Sequence, residues 1–270
     1  MLYKAFLVGA GALALIASAN AASLPGADGE KDANPPAGVT NWNGFFIGVN
    51  GGYGWTASNS SIDIFLQEGP TTVTSPAASF DRSGWIGGVQ AGRNFQFDTL
   101  VFGIESDIQS TSITGNGTAF VSAAKNGTVI ASASLYRTAN LEWFHTVRGR
   151  AGYSFDNAWI YFTAGFALGE NQGEATVAAN AAGKSSVRTV SASEALPGYV
   201  LGGGAEYALT RNWSLKSEYL YVDFGSSSDR FSAPGLAGGV AGGNMVIERN
   251  FNIVRAGLSY RFSQDVGLLH

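Results

Sequence analysis

The chain lacks cysteine, has two histidines and is poor in charge. Without cysteine it holds no disulfide framework, no thiolate-bound metal and no lipidated N-terminal cysteine. Two histidines leave little material for base and nucleophile chemistry. Charged residues are 13% of the total, where soluble domains carry about a quarter. The formal net charge is −4 and no basic stripe is present, so nucleic acid is not an expected partner. Long apolar runs are missing as well. The longest, Ala5 to Ala17, is shorter than the ~20 residues of a spanning helix.

What is present is glycine, 37 residues of it, with 12% aromatics. Lys4, the apolar run and Ala19-Asn20-Ala21 read as a signal peptide over 1–21. Gly9, Gly11 and Ala14 imitate a nucleotide-loop spacing but fall inside its apolar run. Residues 22–41 carry Pro25, Pro35 and Pro36 among polar residues and read as a flexible arm. From 42 to 262 the pattern alternates with period two, the signature of strands with one apolar face. Trp143, Val147, Ala151 and Tyr153 share one face, and Thr146, Arg148 and Arg150 the other. After the turn signal Asp156-Asn157, Ile160, Phe162, Ala164, Phe166 and Leu168 again share a face.

Eight such strands are expected. They start near Trp42, Ser83, Val101, Leu141, Trp159, Gly198, Trp213 and Asn250. Between them, four long polar loops (56–82, 111–140, 170–197 and 225–249) alternate with three short turns. Asn116-Gly117 and Asn126-Gly127 read as hairpin turns within the second loop. Sorting of connections by length fits an all-β, antiparallel, up-and-down transmembrane barrel, with short periplasmic turns and long extracellular loops. A soluble sandwich would not sort them. Closing eight strands also removes every edge, which lipid requires. The six tryptophans fall near strand ends, as two interfacial girdles would, although Trp42 and Trp159 are one residue off the lipid-facing register.

Several fragments carry a resemblance. They are Trp42-Asn43-Gly44-Phe45-Phe46-Ile47-Gly48-Val49-Asn50, Gly87-Gly88-Val89-Gln90-Ala91-Gly92, Val147-Arg148-Gly149-Arg150-Ala151-Gly152-Tyr153 and Val254 through Phe262. Trp213-Ser214-Leu215-Lys216 with Glu218-Tyr219-Leu220-Tyr221 belongs with them. Together they resemble the alphaproteobacterial outer-membrane immunogenic proteins of the RopB type. The resemblance implies an abundant, surface-exposed, eight-stranded barrel in the outer membrane, porin-like or antigenic and without catalytic residues. It implies lipid and lipopolysaccharide around the barrel, and assembly machinery and periplasmic chaperones during biogenesis. Leu258, Tyr260 and Phe262 match the terminal assembly signal, but a tail at 263–270 follows here.

The alternation turns Glu105, Asp107, Arg148, Arg150, Glu206, Lys216, Glu218, Arg255 and Arg261 toward the lumen. An eight-stranded barrel is just wide enough for its side chains to fill. Buried charges must pair, so these nine read as an ion-pair plug or as the lining of a narrow pore. Matching levels from the short turns place Glu105 near Arg150 and Asp107 near Arg148. His145 falls on the lipid-facing set, and Asp223, Asp229 and Arg230 read as solvated loop charge. No catalytic, cofactor or metal site is expected. The function expected is envelope integrity with surface-presented loops. The alternatives are a narrow diffusion channel and a loop-borne adhesin or binder of host or surface ligands, haem among them by the resemblance.

Overall fold

The computed structural model describes residues 40–68, 71–126, 128–181, 183–234 and 240–262. The expected signal peptide, nearly all of the arm and the tail at 263–270 lie outside the described residues. Eleven strands follow in order: β1 (Gly44–Thr56), β2 (Ser60–Glu68), β3 (Thr71–Thr74), β4 (Ala78–Phe80), β5 (Ser83–Phe97), β6 (Leu100–Lys125), β7 (Thr128–Phe155), β8 (Ala158–Ala181), β9 (Lys184–Ala208), β10 (Trp213–Pro234) and β11 (Val240–Arg261). Eight of them, β1 and β5 through β11, form an antiparallel ring that closes where β11 pairs with β1.

The short turns use residues that tolerate left-handed backbone. Asp98 (φ 57°) and Asp156 (φ 46°) turn β5 into β6 and β7 into β8. Between β9 and β10 the Trp213 amide donates to Thr210 Oγ1 at 3.0 Å.

The long connections differ from the polar loops expected. They are mostly strand. β6 has 26 residues and β7 has 28, against the roughly ten that cross a bilayer. Asn116 and Gly117 are not a turn; they pair with Thr138 and Arg137 inside the β6–β7 ladder. The other turn expected, at Asn126, is where the hairpin reverses, with φ 51°. Polar outward residues had hidden these strands. Above Ile108 the outer face of β6 continues as Ser110, Thr114, Asn116 and Thr118, and above Leu168 that of β8 continues as Glu170 and Glu174. An outer face without an apolar stripe reads as loop in sequence.

Beyond that level the ring opens. Pairing of β9 with β10 stops at Tyr199 and Asp223. Pro197, two residues on, has no N–H to extend it. Gly225 (φ 79°) sits in the bulge between Asp223 and Ser226, and its amide donates to Asp223 Oδ1 at 2.7 Å. The ladder β6-β7-β8-β9 and the ladder β10-β11-β2-β3 continue upward separately. An apolar cluster holds them together: Ile62, Ile64 and Phe80 from the inserted β2 and β4 against Ala119, Val121, Ala133 and Leu135.

Candidate functional site in the lumen

Inward residues stack in layers. The floor, nearest the short turns, is Trp42, Val101, Trp159, Tyr161 and Ala208. Trp42 and Trp159 are therefore not interfacial girdle residues. Both are fully buried, whereas Trp213 is 43% and Trp85 71% exposed on the outer face. Their off-register positions in sequence were the signal of an inward orientation. The Trp42 indole donates to Ser154 Oγ at 2.9 Å, and its ring lies 5.9 Å from that of Trp159. Arg261 stacks on Trp42 at 4.7 Å and donates to the Arg211 carbonyl at 2.8 Å. It stands at this floor, apart from the ion-pair network above.

The next layer brings together eight of the nine expected charges. Glu105 is the hub. It pairs with Arg148, with Arg150 Nη1 at 2.8 Å, with Lys216 Nζ at 2.8 Å and with Arg255 Nη2 at 3.5 Å. Asp107 takes Arg148 Nη2 at 2.8 Å and Arg255 Nη2 at 3.0 Å. Glu218 takes Arg255 Nη2 at 2.7 Å, Arg148 Nη1 at 3.2 Å and Lys216 Nζ at 3.2 Å. Glu206 lies 3.7 Å from Arg150. Four cations thus meet four carboxylates.

The register differs from the expected levels. Glu105 stands directly opposite Arg148, Asp107 opposite Thr146, and Gly103 opposite Arg150. Barrel stagger shifts the ladder by one inward pair. Because the guanidinium fork is long and planar, the Glu105–Arg150 and Asp107–Arg148 contacts also form, on the diagonal. Gly103 helps: it has no side chain to fill the space beside the Arg150 guanidinium.

Neutral partners that the sequence reading passed over complete the network. Thr146 Oγ1 donates to Asp107 at 2.9 Å, Tyr161 OH to Glu218 at 2.8 Å, and Arg150 Nη2 to Asn94 Oδ1 at 2.7 Å. Trp159 and Ser214 donate to Glu206. All of them have inward parity, which was available as a signal. Among the described residues no three ligand-type side chains are arranged to hold a metal ion.

Above the charges lies a second apolar layer. It comprises Ile86, Ile113, Leu141, Phe144, Ala167, Leu196, Val200, Leu220, Val222, Phe224, Phe251 and Ile253. Seven of the eight ring strands contribute. The eighth, β1, contributes Gly54, and the place its side chain would occupy is taken by Ile113 and Ile253.

The remaining candidates stand apart. His145 is on the outer face, with Nε2 2.9 Å from Ser106 Oγ. Asp223 accepts from Tyr199 and Tyr221 at the rim. Asp229 accepts from Ser227 at 2.8 Å, and Arg230 donates to Asn244 at 2.8 Å. Leu258, Tyr260 and Phe262 line the outer wall; Tyr260 packs edge-on against Trp213 and Phe262, and the Phe262 amide donates to the Phe45 carbonyl at 2.9 Å.

The chain is similar to known proteins over most of its length. A family model for an outer membrane protein beta-barrel domain matches residues 8–262. The 31 kDa outer-membrane immunogenic protein of Brucella melitensis biotype 1 is 34% identical over 249 residues, 91% of this chain and 94% of that protein. The 22 kDa outer membrane protein of Rhizobium leguminosarum bv. viciae is 27% identical over 191 residues, 71% of this chain and 67% of the relative. Among solved structures, the outer membrane protein OprG from Pseudomonas aeruginosa aligns with 83% of this chain and 99% of its own, at 12% identity and a TM-score of 0.43.

Proposed function

Because this chain belongs to the outer membrane β-barrel family, we propose that it is a non-enzymatic, sealed barrel that anchors a surface structure and supports the envelope. It is an outer-membrane protein, similar over most of its length to immunogenic outer-membrane proteins. One observation carries the finer reading. A charge-balanced cluster of buried side chains lies in the lumen between two apolar layers. An ion following the axis would meet an aliphatic and aromatic layer with no group to replace its hydration shell. A diffusion channel needs the opposite, a hydrated polar path. In single-channel recording, refolded protein in a planar bilayer should give no steady openings. Reproducible openings would return the barrel to the pore class.

The long hairpins, in this reading, face outward and the short turns face the periplasm. Trypsin added to intact cells should cut first after Lys125 and Lys184, which flank hairpin tips and are exposed. Arg137 lies within a paired strand and should be spared. Arg211 lies at the opposite end, in the exposed turn before Trp213. Cleavage beginning at Arg211 would invert the orientation.

A further inference from the structure

Above the level where the ring opens, β9 keeps one partner and loses the other. Its pairing with β10 ends at Tyr199, while its ladder with β8 runs on to Lys184 without a register shift. Every residue from Lys184 to Ala195 is exposed. At the short-turn end the Ala208 amide donates toward β8, to the Asn157 carbonyl, and the next amide, Leu209, donates toward β10, to the Trp213 carbonyl. That direction alternates along a strand, so odd-numbered residues of β9 aim their N–H and C=O groups at the β10 side. Ser185, Val187, Thr189, Ser191, Ser193 and Ala195 therefore present a row of these groups along an edge with no partner strand among the described residues.

The upper half of β10 also has one partner, β11, but its edge is guarded. It is kinked by the bulge between Asp223 and Ser226 and ends at Pro234. The β9 edge has neither a bulge nor a proline from Lys184 to Leu196. Val187 is 70% and Val190 56% exposed on it. Its charges are Lys184, Arg188 and Glu194. Glu194 pairs with Arg249 at 3.2 Å, yet its side chain is 61% exposed. Charges on an edge normally deter pairing. The spacing of these three instead favours one partner.

We propose that this edge pairs antiparallel with the same edge of a second copy of the chain held in a facing membrane, an inference that rests on the outward orientation of the long hairpins. With Thr189 on the twofold axis, Lys184 of each copy stands opposite Glu194 of the other. Two pairs of opposite charge form, and Arg188 faces Val190 rather than another charge. An axis on Arg188 would set arginine against arginine. An axis on Val190 would leave Glu194 opposite Ser186, and one on Ser191 would carry the overlap past buried Leu196. The pairing joins the β6–β9 ladders of the two copies into one sheet by main-chain hydrogen bonds. Direction selects the facing membrane. Two copies in one membrane are related by an axis along its normal, so strands tilted by roughly 35–45° cross at roughly 70–90° and do not run antiparallel. A facing membrane turns the second copy over and brings the edges into line. The contact is therefore a homotypic bridge between cells.

Introduced cysteines report on this contact without background, because the chain has none of its own. Ser185 and Ser193 stand opposite one another across the proposed axis, at the Cα separation of a hydrogen-bonded pair, which a disulfide spans. Full-length Ser185→Cys and Ser193→Cys proteins are produced in two separate populations of cells with truncated lipopolysaccharide. A membrane-impermeant maleimide should label both on intact cells. Absence of labelling would overturn the outward orientation, and the proposal with it. Mixing the two populations under copper-phenanthroline oxidation should give a disulfide-linked dimer that neither population gives alone. Lys184→Glu in both populations sets glutamate against glutamate and should remove most of the dimer. Adding Glu194→Lys to both should bring it back. Cysteines that label but do not cross-link in the mixture overturn the proposal while leaving the orientation standing. So does a dimer that forms only when both proteins are made in one cell, and so does one that Lys184→Glu leaves unchanged.

Discussion

Replacing Glu105 by glutamine should cost the barrel about 3–5 kcal/mol, the range for stranding one side of a buried ion pair. Glutamine keeps the size and removes the charge. Glu105 is the one carboxylate in ion-pair contact with all four cations of the layer: Arg148, Arg150, Lys216 and Arg255. The layer lies between apolar residues above and below, so on the sealed reading no water enters to solvate the stranded cations. The substitution leaves four cations against three carboxylates. Reversible urea unfolding in micelles reads the cost. Adding Lys216→Met should recover part of it, because charge balance returns. A cost below about 1 kcal/mol, the level of an exposed pair, would mean that the layer is hydrated. The sealed reading would then fail with it.

Trp159→Ala should be as damaging, again about 3–5 kcal/mol, the usual cost of deleting a buried large aromatic. Trp159 stacks 4.4 Å from Tyr161, faces Arg150 at 5.1 Å and donates to Glu206. Truncation opens the floor and removes one donor from a buried carboxylate. Trp213→Ala provides the contrast. That ring is half-exposed on the outer wall, where its main neighbour is Tyr260. Its removal should be clearly less damaging on the same urea scale. Equal effects would place Trp159 in an interfacial girdle after all.

The membrane part of this fold was legible in sequence because two environments meet there. Lipid outside and packed charge inside force strict alternation, and Phe102, Ile104 and Ile108 against Glu105 and Asp107 display it. Above Ile108 the outer environment is water, so polar residues such as Thr114 and Asn116 follow on that face and the alternation fades. The long upper halves of β6 to β9 were therefore read as loop. The lumenal charges were found by parity alone. Their exact pairing was not, because register depends on stagger, a property of the closed ring rather than of any strand.

The closing contact has a kinetic consequence. Phe46 pairs with Arg261 and Thr56 with Phe251, so the ring is sealed by residues from opposite ends of the barrel sequence. Every other neighbouring pair in the ring is local by comparison. Contacts of high sequence separation form late, because a long loop must first be closed. Until β11 arrives, β1 and β10 each present a bare ladder, and hydrocarbon offers no water to satisfy it. A chain cut short within β11 is thus not a slightly weaker barrel. It has no stable place in the membrane, and insertion becomes an event that waits for the last strand.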